Sequence, residues 1–360
     1  MEAIKPKFEL RIEGKNVTDD VSPFVSQILY MDKLEGESDE VSIVLDDIAA
    51  LWQTDWYPQQ GDTLAVKMGY EGSELLDCGL FEIDEIELTG QPDIMTVKGI
   101  AAAINKDLRT RNSRAYENQT LKKIAQFIAD KHGLNLIDNT SQLANIEVGR
   151  KTQDNENDLA FLAGLCKRFG IIFSVRGKDL IFLDPADLEA KDAINKDTPF
   201  KRSDLSKYSF KDKTAETYDS ASVSKRDIKT NKVQKWKVVN DADPTKKDDL
   251  VVGGRVENEG QAEALAAGGL REKNKDKLTG SFQTDGNPLL VAGVNVEMSE
   301  FGGFSGKWMI YESRHIISID NGYKTDVSIR KGVFRRTFQK VGGNGSGGGN
   351  KNWRNIIGLT

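Results

Sequence analysis

The chain has 360 residues, 38% hydrophobic and 29% charged, with 50 Lys and Arg against 56 Asp and Glu for a formal charge of −6. At roughly 150 residues per domain this length accommodates two or three domains with cores of their own. Its 33 Gly and 8 Pro exclude a collagen-like or wholly disordered chain. The acidic excess argues against specific nucleic-acid binding, and no stretch approaches the roughly 20 apolar residues of a membrane helix, so stable membrane insertion is not expected.

The opening residues, Met1-Glu2-Ala3-Ile4-Lys5-Pro6, lack the apolar core of a signal peptide, which predicts that the chain stays in the cytoplasm after synthesis. Phe8, Leu10 and Ile12 then alternate with the period of a half-buried strand, and Gly14-Lys15-Asn16 reads as a turn. Further strands are predicted over 25–31, 41–46, 63–70, 79–88 and 94–99, so residues 1–99 form an antiparallel barrel or sandwich. Between Ile83 and Ile86 the apolar phase slips by one position. A bulge near Asp84-Glu85 would keep Phe81, Ile83, Ile86 and Leu88 all facing the core.

From about residue 100 the period becomes helical. Leu121, Ile124, Ala125 and Ile128 form one face, with Gly133 at the stop. A second helix is predicted over 156–169, with Asn155 as N-cap, Asp158 in the first turn and Gly170 just beyond the end. A hairpin over 171–183 closes a small α+β unit, residues 100–185. Residues 186–210 read as a polar connector. Strands at 218–225 and 233–239 flank a charged loop at 240–250, and a helix over 259–277 follows, weakened by Gly268-Gly269. Strands at 278–284, 289–298, 307–312, 314–319 and 324–330 complete a second β unit. Beyond a Gly-rich linker, 342–349, Trp353, Ile356 and Ile357 share one side of a helical turn, as a tethered docking segment would.

The catalytic constellations are weak. Cys78 and Cys166 have neither disulfide-framework nor metal-ligand spacing and read as buried side chains. His132 and His315 lack HExxH or CxxC partners, so no metal and no cofactor are expected. Glu82, Asp84, Glu85 and Glu87 could supply paired carboxylates for acid–base work, yet neighbours along one strand mostly point into water. Gly302-Gly303-Phe304-Ser305-Gly306 is not a nucleophile elbow. Lys331, Arg335, Arg336 and Lys340, interleaved with Phe334 and Phe338, form a small basic stripe that suits a terminal strand or a protein interface. No catalytic residue is assigned, and structural assembly is the expectation that remains.

Four motifs in order carry a resemblance. Gly79-Leu80-Phe81-Glu82-Ile83-Asp84-Glu85-Ile86-Glu87 with Gly90-Gln91-Pro92-Asp93 is similar to the G-x-F-x-[IV]-D-E-[IV]-E-x-x-G-x-P-D stretch of the late control D family, the baseplate hub proteins of contractile phage tails. Thr120-Leu121-Lys122-Lys123-Ile124-Ala125 through Gly133-Leu134 resembles that family's first central helix. Glu156-Asn157-Asp158-Leu159-Ala160-Phe161-Leu162 with Arg168-Phe169-Gly170 resembles a helix shared with the hub part of type VI secretion spike proteins. Leu289-Leu290-Val291-Ala292-Gly293, Gly306-Lys307-Trp308, His315 and Gly322-Tyr323-Lys324-Thr325 resemble its closing strands. The resemblance covers about residues 5–332. The charged insertion is shorter than in some relatives, and the Gly-rich tail falls outside the pattern.

The resemblance implies an α+β, mainly β fold: two antiparallel β-barrel domains with a small α+β domain between them and a helix inserted in the second barrel region. The boundaries are then 1–99, 100–185, 186–335 with the inserted helix, and 336–360 for linker and docking segment. It further implies a homotrimer whose two barrels per chain make a pseudo-sixfold ring. That ring would join the sixfold tail tube protein to the central spike protein, with other baseplate proteins around it, in a virion tail or injection particle assembled in the bacterial cytoplasm. A net-negative ring would let DNA or protein cargo pass without sticking. The competing expectation is a tail-associated cell-wall or glycan hydrolase using Glu82, Asp84 or Glu87.

Overall fold

The computed structural model describes residues 5–35, 38–101, 110–140, 142–215, 217–226, 233–240, 248–254, 256, 258–331 and 336–341. The first β unit contains β1 (Pro6–Ile12), β2 (Lys15–Asn16), a helical turn α1 (Thr18–Val21), β3 (Val25–Lys33), β4 (Glu40–Asp46), β5 (Thr63–Tyr70), β6 (Leu76–Thr89) and β7 (Ile94–Ala101). Alternate residues of β3, β4, β5 and β7 point inward, as the period-two pattern requires, onto a core that includes Leu10, Ile28, Ile43, Val66, Phe81 and Val97. The bulge in β6 lies where the phase slip predicts it: the register against β7 shifts between Ile83 and Glu85. Its consequence is smaller than expected. Ile86 packs partly against the core, but Leu88 remains 47% exposed.

The central unit opens with β8 (Arg111–Tyr116), followed by α2 (Leu121–His132), β9 (Asn135–Asn139), β10 (Lys151–Asn157), α3 (Asp158–Phe169), β11 (Ile172–Arg176) and β12 (Asp179–Leu183). Thr120 caps α2 by accepting from the Lys123 N–H, and Gly133 ends it in the left-handed region. The predicted cap of α3 is corrected by two residues. Asn157, not Asn155, accepts from the Ala160 N–H, while Asn155 has φ 48° beside a register shift in β10. A two-residue turn joins β11 to β12, and β9 adds to β12 in parallel.

The residues expected to be a polar connector carry α4 (Pro185–Ala190) and β13 (Lys207–Asp212). Next come β14 (Ser220–Arg226), β15 (Val233–Asn240), β16 (Asp249–Val251) and α5 (Glu259–Asn274). The second β unit is completed by β17 (Leu278–Asp285), β18 (Asn295–Met298), β19 (Gly306–Ser318) and β20 (Gly322–Arg330). The two strands expected at 307–312 and 314–319 are one, and β21 (Arg336–Val341) closes the described chain.

Two features depart from a linear series of domains. First, β3 pairs antiparallel with β19, from Gln27 opposite Ser318 to Lys33 opposite Glu312. The strands therefore form one sheet in the order β13-β17-β20-β19-β3-β4-β7-β6-β5-β1-β2, with β18 beside β19. Among the described residues this path is open, and neither β unit closes a ring of its own. Second, α5 and the sheet β16-β14-β15-β21 do not pack with the second β unit in which sequence order places them. Ala221, Val223, Trp236, Val238, Leu265 and Leu270 share a core with Leu121, Phe161, Leu162 and Phe182 of the central unit.

That placement explains the glycine pair in α5. A Cβ on Gly268 would lie 2.6 Å from the Gly170 nitrogen and 2.8 Å from the Arg168 carbonyl oxygen, so the helix crosses the end of α3 at backbone contact.

The two β units repeat one design. In the first, Leu64 faces Phe81, the Gly61 N–H donates to the Ile83 carbonyl at 2.8 Å, and the Ile83 N–H donates to Asp62 at 2.9 Å. In the second, Val296 faces Trp308, the Gly293 N–H donates to Ile310 at 2.8 Å, and the Ile310 N–H donates to Val294 at 2.8 Å. Gly79 and Gly306 have φ 100° and 108°, and the β19–β20 register shifts between Ile310 and Glu312 as β6–β7 shifts between Ile83 and Glu85. By these pairings β5, β6, β7, β4 and β3 correspond to β18, β19, β20, β17 and β13.

Candidate functional site: a buried ionic junction and two open sheet edges

The sheet and the central body meet at the end of β3. Leu34, Ile172, Leu188 and Met309, from four separate segments, form a small apolar cluster there. Beside it Asp32, 1% exposed, accepts from Arg176 Nη2 at 2.6 Å and from the Ala292 N–H at 2.7 Å. Asp39 accepts from the Lys33 N–H, and its carboxylate stands 3.8 Å from Arg176 Nε. Burial, opposed by Arg176, raises the Asp32 carboxyl above its ordinary value, while burial and the nearby Asp32 charge push Asp39 up to about 6. Glu35 meets Arg330 at 2.7 Å and Arg271 at 3.7 Å, and Arg271 also lies 3.9 Å from Glu189. Burial works to raise Glu35, yet the two guanidinium groups outweigh it and hold the carboxyl below the usual range. Carboxylates from the first β unit thus engage cations from β11, α5 and β20 in one place. Charges buried with partners fix orientation, because separating them leaves an uncompensated ion.

A second buried network occupies the seam between the β units. His315, fully buried on β19, lies with Nδ1 2.8 Å from the Tyr323 hydroxyl and Nε2 3.1 Å from the Leu290 carbonyl and 3.2 Å from Ser313 Oγ. Its ring stacks against Tyr30 of β3. Burial holds its pKa down to about 4, so it is a neutral element of the seam at neutral pH. The other histidine is equally structural: His132 Nε2 and Lys131 Nζ both lie 2.7 Å from Asp158 Oδ2, and Gln153 donates to Oδ1 at 2.8 Å. Burial would raise Asp158, but these partners keep it below the ordinary carboxylate range and tie α2, β10 and α3 together.

The structure does not bring the remaining chemical candidates together. Cys78 and Cys166 are both free and buried, and burial pushes both thiols up. Glu85 and Glu87 reach Lys98 on β7 at 2.7 and 4.0 Å, and Glu82 and Asp84 share their strand, so these carboxylates line a sheet surface instead of facing one another across a cleft. Among the described residues no group of three or more His, Cys, Asp or Glu side chains could hold a metal ion, and no helix is long and apolar enough to cross a membrane. In the basic stripe, Lys331 Nζ donates to the Ser305 carbonyl and lies over Trp308, while Lys340 lies over Trp236. Trp353, Ile356 and Ile357 lie outside the described residues, as do residues 332–335 and most of the charged loop.

Two stretches of backbone edge in the large sheet stand open among the described residues and matter for assembly. Glu85–Thr89 on β6 pairs with β7 on one side only, and β13 pairs only with β17 among the described residues. Sequence periodicity located β6 and its acidic row but not the openness of these edges, which depends on pairings far apart in the chain.

Comparison with known proteins agrees with this architecture. The phage tail baseplate hub (GPD) family matches residues 92–322. A probable baseplate hub protein of Escherichia phage 186 is 28% identical over 248 residues, which are 68% of this chain and 62% of that protein. The chain therefore spans somewhat under two thirds of that relative's length. The 43 kDa tail protein of prophage MuSo2 from Shewanella oneidensis has the same fold with a TM-score of 0.67 at 15% identity, over 90% of this chain and 98% of the other. An E. coli component of the type VI secretion system gives a TM-score of 0.52 at 12% identity, over 89% and 76% of the two chains. With most of its length matched, from the turn after β6 to the start of β20, the chain belongs to the phage tail baseplate hub family.

Proposed function

We propose that this chain is a structural, non-enzymatic hub. Three copies make a pseudo-sixfold ring, each β unit curled as a barrel, that joins a sixfold tail tube to a threefold spike in a virion tail or related injection particle. The observation that carries this reading is the repeat inside the sheet: one hairpin design, with the same positive-φ glycine and the same bulge, occurs twice per chain. Three chains then present six similar units to a sixfold partner while keeping threefold identity for the other. Assembly in the cytoplasm before incorporation follows from the same reading. Light scattering of the full chain, alone and with the particle's spike protein, tests it: a threefold mass in either sample supports the ring, and a monomer in both removes it.

The segment 342–360 with Trp353, Ile356 and Ile357 is proposed as a tether that docks on a neighbouring baseplate protein. Deleting 342–360 should leave the ring mass unchanged and reduce co-purification with tube or spike; unchanged co-purification removes the tether.

A further inference from the structure

We infer that copies of this chain join by strand pairing between β13 of one copy and Glu85–Thr89 of β6 in the next, in the register by which β3 pairs with β19 inside the chain. The inference rests on the ring reading and adds to it the edges, the register and the residue pairs.

On β19, the stretch after the bulge is covered by β3: Glu312 faces Lys33, Ser313 faces Asp32, Arg314 faces Met31 and His315 faces Tyr30. The corresponding stretch after the bulge in β6 is the open edge Glu85–Thr89. What covers β19 is the strand two places beyond its hairpin partner in the other unit, and β13 holds that position in the second unit. Tyr30 faces Val41, which faces Gly99; Phe210 faces Gly280, which faces Ile329. β13 is therefore the counterpart of β3, and its outer edge is also open among the described residues. Each copy carries one unsatisfied example of each half of a joint that it also contains in completed form. Exposed edges of this kind are templates for pairing with another chain.

Transferring the register pairs the residues one by one. Glu85 falls opposite Lys213, Ile86 opposite Asp212, Glu87 opposite Lys211, Leu88 opposite Phe210 and Thr89 opposite Ser209. The first pair repeats the residue types of Glu312 opposite Lys33, and the third adds a second opposite-charge pair, the kind of cross-strand contact that favours one register. Leu88, 47% exposed, would take the place that His315 holds fully buried against Tyr30. Tyr208 of β13, 45% exposed and on the same face as Phe210, is covered in the same step. Joining different edges head to tail is a heterologous contact, which closes into a ring when the repeated rotation returns to its start.

The test uses the full chain carrying Glu87→Cys and Lys211→Cys, assembled with the particle's spike protein and oxidised. Both native cysteines are buried, so the background is low. The expected result is a ladder of disulfide-linked dimer and trimer on a non-reducing gel, absent when Lys207→Cys replaces Lys211→Cys four residues along. A threefold mass without cross-links, or an equal yield from the displaced pair, overturns the pairing and leaves the ring reading standing. A monomer in the presence of spike overturns the ring reading and the pairing with it, and a cross-link within one chain assigns the edge to the chain's own strand. As a second measurement, Glu87→Lys should raise the concentration needed for assembly by roughly fivefold, and adding Lys211→Glu should restore it. Equal assembly of single and double variants also overturns the pairing.

Discussion

The β6–β7 and β19–β20 hairpins share a glycine, a bulge and an inward aromatic, Phe81 or Trp308, yet they lie in different surroundings. Beyond its bulge β19 is flanked by β3 and buries Ser313 and His315 among polar partners. Beyond its bulge β6 pairs with no strand on that side among the described residues and carries Glu85, Glu87 and Leu88. The shared part is what the hairpin itself needs, and the divergent part is set by the neighbour across the edge. A covered edge can bury a neutral imidazole because Tyr323 and Leu290 partner it. An open edge keeps charges, which stop indiscriminate pairing while leaving room for a partner of opposite charge.

The largest effect expected on this contrast comes from breaking the covered side. Arg176→Ala leaves Asp32 buried with the Ala292 N–H as its remaining donor, at a cost of about 3 kcal/mol in denaturant unfolding. Lys211→Ala on the open edge should leave the same unfolding curve unchanged. Equal costs at the two positions would mean that the junction holds no more than the surface does.

Next in size, Gly268→Ala should destabilise by about 1–3 kcal/mol, because its Cβ meets backbone of Gly170, Phe169 and Arg168 within 3 Å. Gly269→Ala should cost less, since the atoms nearest its Cβ belong to the Val252 side chain, at 2.7 Å, and not to backbone. Thermal unfolding of the pair of variants separates rigid from yielding neighbours.

The pH response sets junction against seam. His315, held at about 4 against an ordinary 6.5, contributes stability that is complete above pH 6.5 and is lost as pH falls toward 4, up to about 3 kcal/mol. Asp39, raised from 3.8 to about 6, has the opposite sign: its contribution is complete below pH 3.8 and is lost as pH rises through 6. Between pH 4 and 6 the two offset each other. His315→Gln should therefore lose stability as pH rises through this window, and Asp39→Asn should gain it. Unfolding midpoints measured across pH 4–7 check both slopes, and slopes of one sign in both variants would refute the assignment.

Much of the first β unit was legible because each strand buries alternate residues, a signal carried within seven or eight positions. The bulge at Asp84 was legible for the same reason, as a break in that alternation. The partner of α5 was not. Its glycine pair looked like a weakness in a helix, and only the crossing with α3 shows why no side chain fits there. The cap of α3 was missed by two residues because Asn155 and Asn157 are the same residue type, and the strand that distinguishes them pairs with β8, about forty residues away. At the junction, Asp32, Glu35, Arg176, Arg271 and Arg330 carry no mutual spacing in sequence. A buried-ion signal would have required Asp32 to stand out in β3, where an apolar residue fits the alternation equally well.

The smallest effect concerns the acidic row itself. Glu85 pairs with Lys98 at 2.7 Å on an exposed face, and such pairs add little because water and salt screen them. Glu85→Gln should therefore leave the unfolding midpoint of the isolated chain where it is. If β13 of another copy lies alongside, the same carboxylate sits between Lys98 and Lys213, and neutralising it should weaken assembly about twofold and flatten its dependence on salt. Sedimentation of wild type and variant at low and high salt makes the distinction. An assembly that responds to salt identically in both chains would show that the row faces only solvent, and the likeness between the two hairpins would then end at their bulges.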